Sequence, residues 1–311
     1  MPTKRIESNV TLGPDVSRAL RDGIPVVALE STVITHGLPA PFNLEIARDM
    51  EAEVRRFGAV PATIAVMDGE IRAGLETAEL TELASSEGAI KIGTRELAHA
   101  AVHGMTGGTT VAATMQIAHR AGIRVFATGG IGGVHREGPF DVSADLHALA
   151  RIPMIVVCAG AKAILDIPAT LETLETLEVP VVGFGTSEFP AFFSRESGLQ
   201  LGMRADGPDD VARLARSHWG LGHSSAILLA NPIPQQNEIP RAELEPLIEQ
   251  ASSEAVREGI HGPALTPHLL RRVNELSGGR SLGANRALLL NNASVAAAIA
   301  RCMSTSHVRH V

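Results

Sequence analysis

Seven short apolar runs punctuate the chain: IPVVALE (24–30), ATIAVM (62–67), AIKIG (89–93), IRVFATG (123–129), IPMIVVCA (152–159), VPVVGFG (179–185) and SSAILLAN (224–231). Their residues do not alternate with polar ones, which is the pattern of strands covered on both faces. Asp68-Gly69 stands between ATIAVM and EIRAGL, a dipeptide that favours a two-residue hairpin. The sheet is therefore expected to be mixed, mostly parallel with an antiparallel member. Between the runs, apolar residues return at helical spacing. NLEIARDMEAEVRRFG carries Leu44, Ile46, Met50 and Val54 at that spacing and stops at Gly58, as a helix closed by glycine does. Similar patterns occupy TRELAHAAVHG, TVAATMQIAHRAG, SADLHALAR, PDDVARLARSHWG and RAELEPLIEQASSEAVREG. ANRALLLNNASVAAAIARCM is apolar nearly all round and reads as a buried helix, with polar residues near its start. This alternation predicts one domain over residues 1–311, a three-layer α/β/α sandwich on a mixed, mostly parallel central sheet. Residues of about 1–12 and 304–311 carry neither pattern and are expected to be flexible arms.

Composition narrows the class. With 45% hydrophobic and 20% charged residues, the 311-residue chain reads as a globular protein able to bury a sizeable core. A net charge of −7 and the lack of any basic run argue against a nucleic-acid surface, so a small-molecule ligand is expected. No stretch reaches the ~18 apolar residues of a membrane span, and MPTKRIESNV lacks the apolar segment of a secretory signal. Cys158 and Cys302 lie in apolar sequence, which suits reduced thiols in a cytoplasmic protein better than a disulfide framework.

The kind of cation matters more than the number. The chain holds 24 arginines and only three lysines, Lys4, Lys91 and Lys162. Guanidinium stays protonated, whereas an amine can lose its proton and attack carbon. Lys162 follows IPMIVVCA, where burial would disfavour an ammonium ion and leave a nucleophile. Its bland alternative is a lysine early in a helix, with the amine reaching back to water. Lys91, in GAIKIGT, reads equally as a phosphate-pairing cation or a surface charge.

Four Gly- and Ser/Thr-rich loops follow strands: LESTVITHGLP, TGGTTVAATM, ATGGIGGVHR and CAGAKAIL. Such loops present backbone N–H groups to anions at the carboxyl ends of α/β sheets. The run from Thr128 to Gly133 departs from GxGxxG spacing, and no acidic residue ends a strand about twenty residues on, which disfavours a dinucleotide. Glu30 reads as a general acid if burial raises its pKa, or as an N-cap or surface glutamate. In FDVSADLHAL, Ser143 either caps a helix or holds a phosphate at its N-terminus. Asp141 offers a carboxylate to a hard divalent cation, though no HExxH, CxxC or EF-hand pattern accompanies it. His135 lies in a glycine-rich loop beside Arg136. Asn285 reads as an N-cap or as the donor–acceptor pair that matches an imide edge.

Taken in order, ESTVITHGLP, GGTTVAATM, FATGGIGGVHR, FDVSADL, VVCAGAKAILD, PAFFSR, NPIPQQ and SLGANRALLLNNA resemble the blocks of the pseudouridine-5′-phosphate glycosidase (pseudouridylate synthase) family over about residues 26–300. The resemblance implies reversible cleavage of the carbon–carbon glycosidic bond of pseudouridine 5′-phosphate to uracil and ribose 5-phosphate, in nucleoside catabolism. It implies Lys162 as the nucleophile that holds the ring-opened sugar as a Schiff base, and Glu30 as the proton donor. It places substrate contacts at Lys91, Val111, Ser143, Ala144 and Asp145; to these we add His135 and Asn285 as expected contacts on the uracil side. A manganese ion (Mn2+) at Asp141 and a homotrimer are implied as well. The same fold includes a protein of indigoidine pigment biosynthesis.

The implied chemistry is coherent. A C-glycosidic bond has no electronegative leaving atom, so hydrolysis by two carboxylates is a poor route. An imine supplies an electron sink, and protonation at carbon 5 of uracil releases the base. Two stretches depart from the family pattern: Gly93-Thr94-Arg95, where a serine and two arginines are expected, and Ala40 and Phe42 after His36. The rival expectations are a Schiff-base lyase or aldolase acting on another phosphosugar, and a sugar-phosphate-binding module without turnover.

Overall fold

The computed structural model describes residues 10–136, 141–260, 262 and 265–304. The chain begins with β1 (Thr11–Leu12), α1 (Pro14–Asp22) and β2 (Val26–Leu29), and a π-helical turn (Val33–Gly37) leads into α2 (Phe42–Arg56). Next come β3 (Val60–Met67), β4 (Glu70–Ala73), α3 (Thr77–Ser85), β5 (Ile90–Ile92), α4 (Leu97–Val102), β6 (Gly107–Thr109) and α5 (Val111–Arg120). The middle holds β7 (Val125–Ala127), β8 (Val134–His135), α6 (Ala144–Arg151), β9 (Ile155–Cys158), β10 (Leu165–Asp166) and α7 (Ile167–Thr176). The last third holds β11 (Val181–Phe184), β12 (Met203–Ala205), α8 (Pro208–Gly220), β13 (Ile227–Ala230), α9 (Arg241–Arg257), α10 (Leu265–Leu276) and α11 (Arg280–Ser304).

Every one of the seven apolar runs falls on a strand. The main sheet is ordered β1-β4-β3-β2-β7-β9-β13-β11-β12, and from β3 to β12 all neighbours are parallel. Ala28, Phe126, Val156 and Leu228 retain no exposure, because helices cover both faces of a parallel sheet. Helices α2, α8 and α11 pack together on one side, and α5, α6 and α7 form a second packed group. The expected three-layer α/β/α sandwich is the fold observed.

The antiparallel exception falls where Asp68-Gly69 predicts it. Both residues have positive φ, 48° and 80°, as a type I′ hairpin requires, and β4 returns with Glu70 opposite Met67. The other edge of β3 serves two neighbours in succession. Val60–Thr63 pairs with β2, while Ala65 and Val66 pair antiparallel with β6, which carries β5 alongside. Ser31, just past β2, donates its hydroxyl to the Ile64 carbonyl at 2.5 Å, and Thr109 at the end of β6 donates to the same oxygen at 2.8 Å. The sheet thus forks where β2 ends, and Glu30 leaves it at the fork.

Some expectations need correcting. Thr11 and Leu12, placed in the N-terminal arm, pair with β4 and belong to the sheet; the rest of the expected arms, residues 1–9 and 305–311, lies outside the described residues. Ser304, also placed in an arm, closes α11. Asn285 does not start a helix. Helix α11 begins at Arg280 because the Ser277 hydroxyl and the Asn274 amide oxygen accept the N–H groups of Ser281 and Leu282, each at 3.2 Å, so Asn285 lies in its second turn. Helix α10 was not anticipated: its buried stripe is only Leu265, Leu269 and Val273, too narrow to stand out among polar neighbours. Among the described residues, α11 alone is long and apolar enough to cross a membrane, yet it packs on β7, β9 and α2 as a core helix does.

Candidate active site

Four strand ends converge at the fork. Glu30 follows β2 and is 6% exposed. Because Leu29 pairs with Ala127, the next residues, Glu30 and Thr128, stand side by side, and the Thr128 hydroxyl donates to Glu30 Oε1. Burial pushes the Glu30 carboxyl above its ordinary value of 4.5, against the pull of Lys162, of the Thr128 hydroxyl and of Lys91. The negative charge of Asp145 adds to the rise.

Lys162 stands after β9 in a turn, not in a helix; α7 begins only at Ile167. Its N–H donates to the Ile131 carbonyl at 3.1 Å, and Ala161 bridges to Ile131. The turn is tight enough to need glycine at two places. A Cβ on Gly160, whose φ is +93°, would meet the Pro190 carbonyl oxygen at 2.2 Å, and one on Gly130 would meet the Phe192 ring at 2.6 Å. Arg136 braces the same loop by donating to the carbonyls of Ala163 and Leu165 at 3.2 and 3.3 Å, while its other end pairs with Glu245.

Lys91 comes from β5, on the branch of the fork. The residue is exposed at its edge, yet it helps to line the cavity. Desolvation there, then the charge of Lys162, holds its ammonium below the ordinary value of 10.5, despite Asp145 and Glu30. His36, in the π-helical turn, accepts or donates a 2.6 Å hydrogen bond with Thr35. Burial and then Lys91 lower its pKa below 6.5, so its ring is neutral at physiological pH.

Glu30, Lys91, Lys162, His36 and Asn285 all line one narrow cavity of about 50 Å³. An adjoining cavity of about 240 Å³ shares the wall made by His36, Gly37, Pro267, Leu270 and Asn285. Asp145, in the first turn of α6, stands behind this group and ties the start of α5 to the glycine-rich loop after β7. Its Oδ1 accepts from Ala112 N at the start of α5, and its Oδ2 from Gly132 N, at 2.9 and 2.8 Å. Ser143 caps α6 by accepting from Asp145 N at 3.2 Å, and Ala144 is the first residue of that helix. Val111, first in α5, is wholly buried beside β5, since Thr110 N donates to the Ile92 carbonyl at 2.9 Å.

The structure does not bring every candidate to the cavity. His135 and Asp141 meet through their backbones, His135 N donating to the Asp141 carbonyl at 2.9 Å, and neither lines it. Asp141 is exposed, and among the described residues no group of three His, Cys, Asp or Glu gathers to hold a metal. The carboxylate fits a hydrated divalent ion held by one protein ligand, not a caged one. Thr128, Phe192 and the α10 residues Pro267 and Leu270 escaped the sequence reading as site residues. Only the glycines around Thr128 hinted at a special loop.

Comparison with known proteins places this geometry. The model of the family described as "Indigoidine synthase A like protein" matches residues 15–302. A pseudouridine-5′-phosphate glycosidase of Paracoccus denitrificans is 58% identical over 95% of this chain and 99% of its own. One of Jannaschia sp. is 54% identical with the same coverage. Among solved structures, the prealnumycin C-glycosynthase AlnA in complex with ribulose 5-phosphate superposes with a TM-score of 0.89 at 39% identity, covering 97% of this chain and 99% of that one. An indigoidine synthase A-like protein from Thermotoga maritima gives 0.88 at 38% identity with the same coverage. Matched almost from end to end, this chain belongs to the indigoidine synthase A like family.

Proposed function

We propose that this protein cleaves the C-glycosidic bond of pseudouridine 5′-phosphate reversibly, with uptake of one water, to uracil and ribose 5-phosphate. The observation that carries the reading is the confinement of Glu30 and Lys162 to one small cavity, where burial holds the carboxyl towards its protonated form beside an amine. The names of the relatives, at 58% and 54% identity, support the same substrate.

The Lys162 amine attacks C1′ as the ring oxygen leaves and takes a proton from Glu30, so the sugar opens. The proton lost from the attacking nitrogen restores Glu30. Glu30 then protonates carbon 5 of uracil; the electron pair of the C1′–C5 bond returns to the ring, and the nitrogen lone pair forms the imine. Water adds to the imine carbon, one of its protons returning to Glu30 and the other going to the departing nitrogen, so that Lys162 is again an amine and ribose 5-phosphate is released. Asn285 faces the base. The phosphate lies towards Lys91 and the N-termini of α5 and α6, where Val111, Ser143, Ala144 and Asp145 stand and N–H groups and dipoles favour an anion. A divalent ion such as Mn2+ at Asp141 would add positive charge on that side. We further place the protein in the cytoplasm as a homotrimer. Burial pushes the Cys158 thiol up to about 12, which leaves it a poor thiolate nucleophile, and sedimentation would count the subunits.

Borohydride added with ribose 5-phosphate should leave a reduced sugar on the peptide containing Lys162, and pseudouridine 5′-phosphate should release uracil, read by ultraviolet absorbance. Active enzyme with no adduct at Lys162 overturns the mechanism. The likeness to a C-glycosynthase solved with ribulose 5-phosphate favours one other reading, the same lysine acting on a different phosphosugar. Trapping with a panel of phosphosugars, without uracil release, would select it.

A further inference from the structure

Glu30 has two oxygens in different surroundings. Oε1 accepts from the Thr128 hydroxyl, and among the described residues no hydrogen bond reaches Oε2. A threonine hydroxyl has one hydrogen to give. Glu30 is the one partner found for that hydroxyl among the described residues. Were the Glu30 proton on Oε1, it would point at Thr128 and leave the threonine hydrogen without an acceptor in a residue that is 0% exposed. Buried polar hydrogens rarely go unpaired.

The hydroxyl is also held firmly. Thr128 N donates to the Val157 carbonyl at 3.0 Å, and the Thr128 carbonyl accepts from Asn292 Nδ2 at 2.8 Å. Asn292 Oδ1 in turn accepts from Asn231 Nδ2 at 2.9 Å, and Asn231 N donates to the Cys158 carbonyl at 2.8 Å. Strands β7, β9 and β13 and helix α11 therefore all fix where Thr128 points. A β-branched side chain adds little freedom of its own.

We propose that Thr128 is a positioning residue which keeps Glu30 Oε1 an acceptor, so that the proton Glu30 delivers sits on Oε2 and faces the substrate. This rests on Glu30 being the proton donor of the proposed reaction. The charged or titratable groups around that carboxyl are Lys162, Lys91 and Asp145, with His36 in the same cavity wall. None of them needs to move for Thr128 to act.

The test compares Thr128→Val, which keeps the shape and removes the hydroxyl, with Thr128→Ser, which restores it. One readout is the pH dependence of pseudouridine 5′-phosphate cleavage; the other is a titration of the Glu30 carboxyl by NMR with ¹³C-labelled glutamate, assigned by its loss in Glu30→Gln. The hydroxyl stabilises the charged carboxylate, so its removal should raise the Glu30 titration by about one pH unit. The matching limb of kcat should rise with it, KM should change little, and serine should bring both back. Thr128→Ala carries the same expectation should valine fail to fold. An unmoved Glu30 titration in the valine or alanine variant, or no recovery with serine, overturns the proposal. Wild-type enzyme that releases no uracil would instead overturn the reaction reading, and the NMR arm would still judge the Thr128–Glu30 contact.

Discussion

Two positions on the same strands behave as different materials. Ala28, Phe126 and Val156 lie side by side across β2, β7 and β9, and none of them is exposed. Two residues further along, where a continued pleat returns to the same face, stand Glu30 and Thr128. The first row is apolar and its burial stabilises the fold. The second is almost as buried, but burial there works against a carboxyl that folding must desolvate. One sheet can therefore supply rigidity and a desolvated carboxyl within about 7 Å along a strand, provided the polar row falls where the strands end.

The sharpest way to break the comparison is Lys162→Ala. Turnover should fall on the order of a millionfold, the scale for removing a covalent nucleophile, with the melting temperature nearly unchanged because the side chain is only partly buried. Stopped activity together with a large loss of stability would deny that the two rows are separable.

Glu30→Gln should cost about 10²–10⁴ in kcat while stabilising the protein at neutral pH. The folded value of this carboxyl lies above its ordinary 4.5, so the folded state keeps a proton that the unfolded chain releases. Stability of the wild type therefore falls as pH rises from 4.5 to the folded value and stays lowered above it. Urea unfolding of the two proteins should show the glutamine variant ahead at pH 7 and level with wild type well below pH 4.5. A gap that does not close on acidification would contradict the raised carboxyl.

In the apolar row, Phe126→Ala should cost about 3–5 kcal/mol in urea unfolding, with kcat of the protein that remains folded changed only a few fold. Lys91→Arg is the smallest effect, about tenfold at most in kcat/KM, because a guanidinium still offers a fixed cation, whereas Lys162→Arg should be as inactive as the alanine variant. Equal losses from the two arginine variants would remove the distinction between the proposed nucleophile and the proposed substrate-holding cation.

Much of this was legible in the sequence. Continuous apolar runs announced buried parallel strands, Asp68-Gly69 announced the hairpin, and lysine rarity pointed at the two amines that now share a cavity. What escaped depends on contacts far apart in the chain. The fork at β3 is decided by Ser31 and Thr109 meeting on the Ile64 carbonyl, and Gly107–Thr109 is too short a strand to carry a pattern of its own. Thr128 looks like any loop threonine until Leu29 and Ala127 set its register with Glu30. The α10 wall of the cavity went unseen because three buried residues in twelve make a faint stripe. His135 and Asp141 lie near the loop residues in sequence, but β8 pairs His135 with Leu165 of β10 and Asp141 meets His135 through the backbone, and neither lines the cavity.

The fork has a consequence for how such an enzyme can change over time. Glu30 and Lys162 grow from the trunk of the sheet, whose strands cannot shift without unpacking the core. Lys91 grows from a side branch of two three-residue strands that touches the trunk chiefly at β3. On the proposed roles, substitutions on the branch, such as those around Gly93-Thr94-Arg95, would alter what is held without disturbing what reacts. A glycosidase and a C-glycosynthase on one shared scaffold are the kind of divergence that this modular inheritance permits.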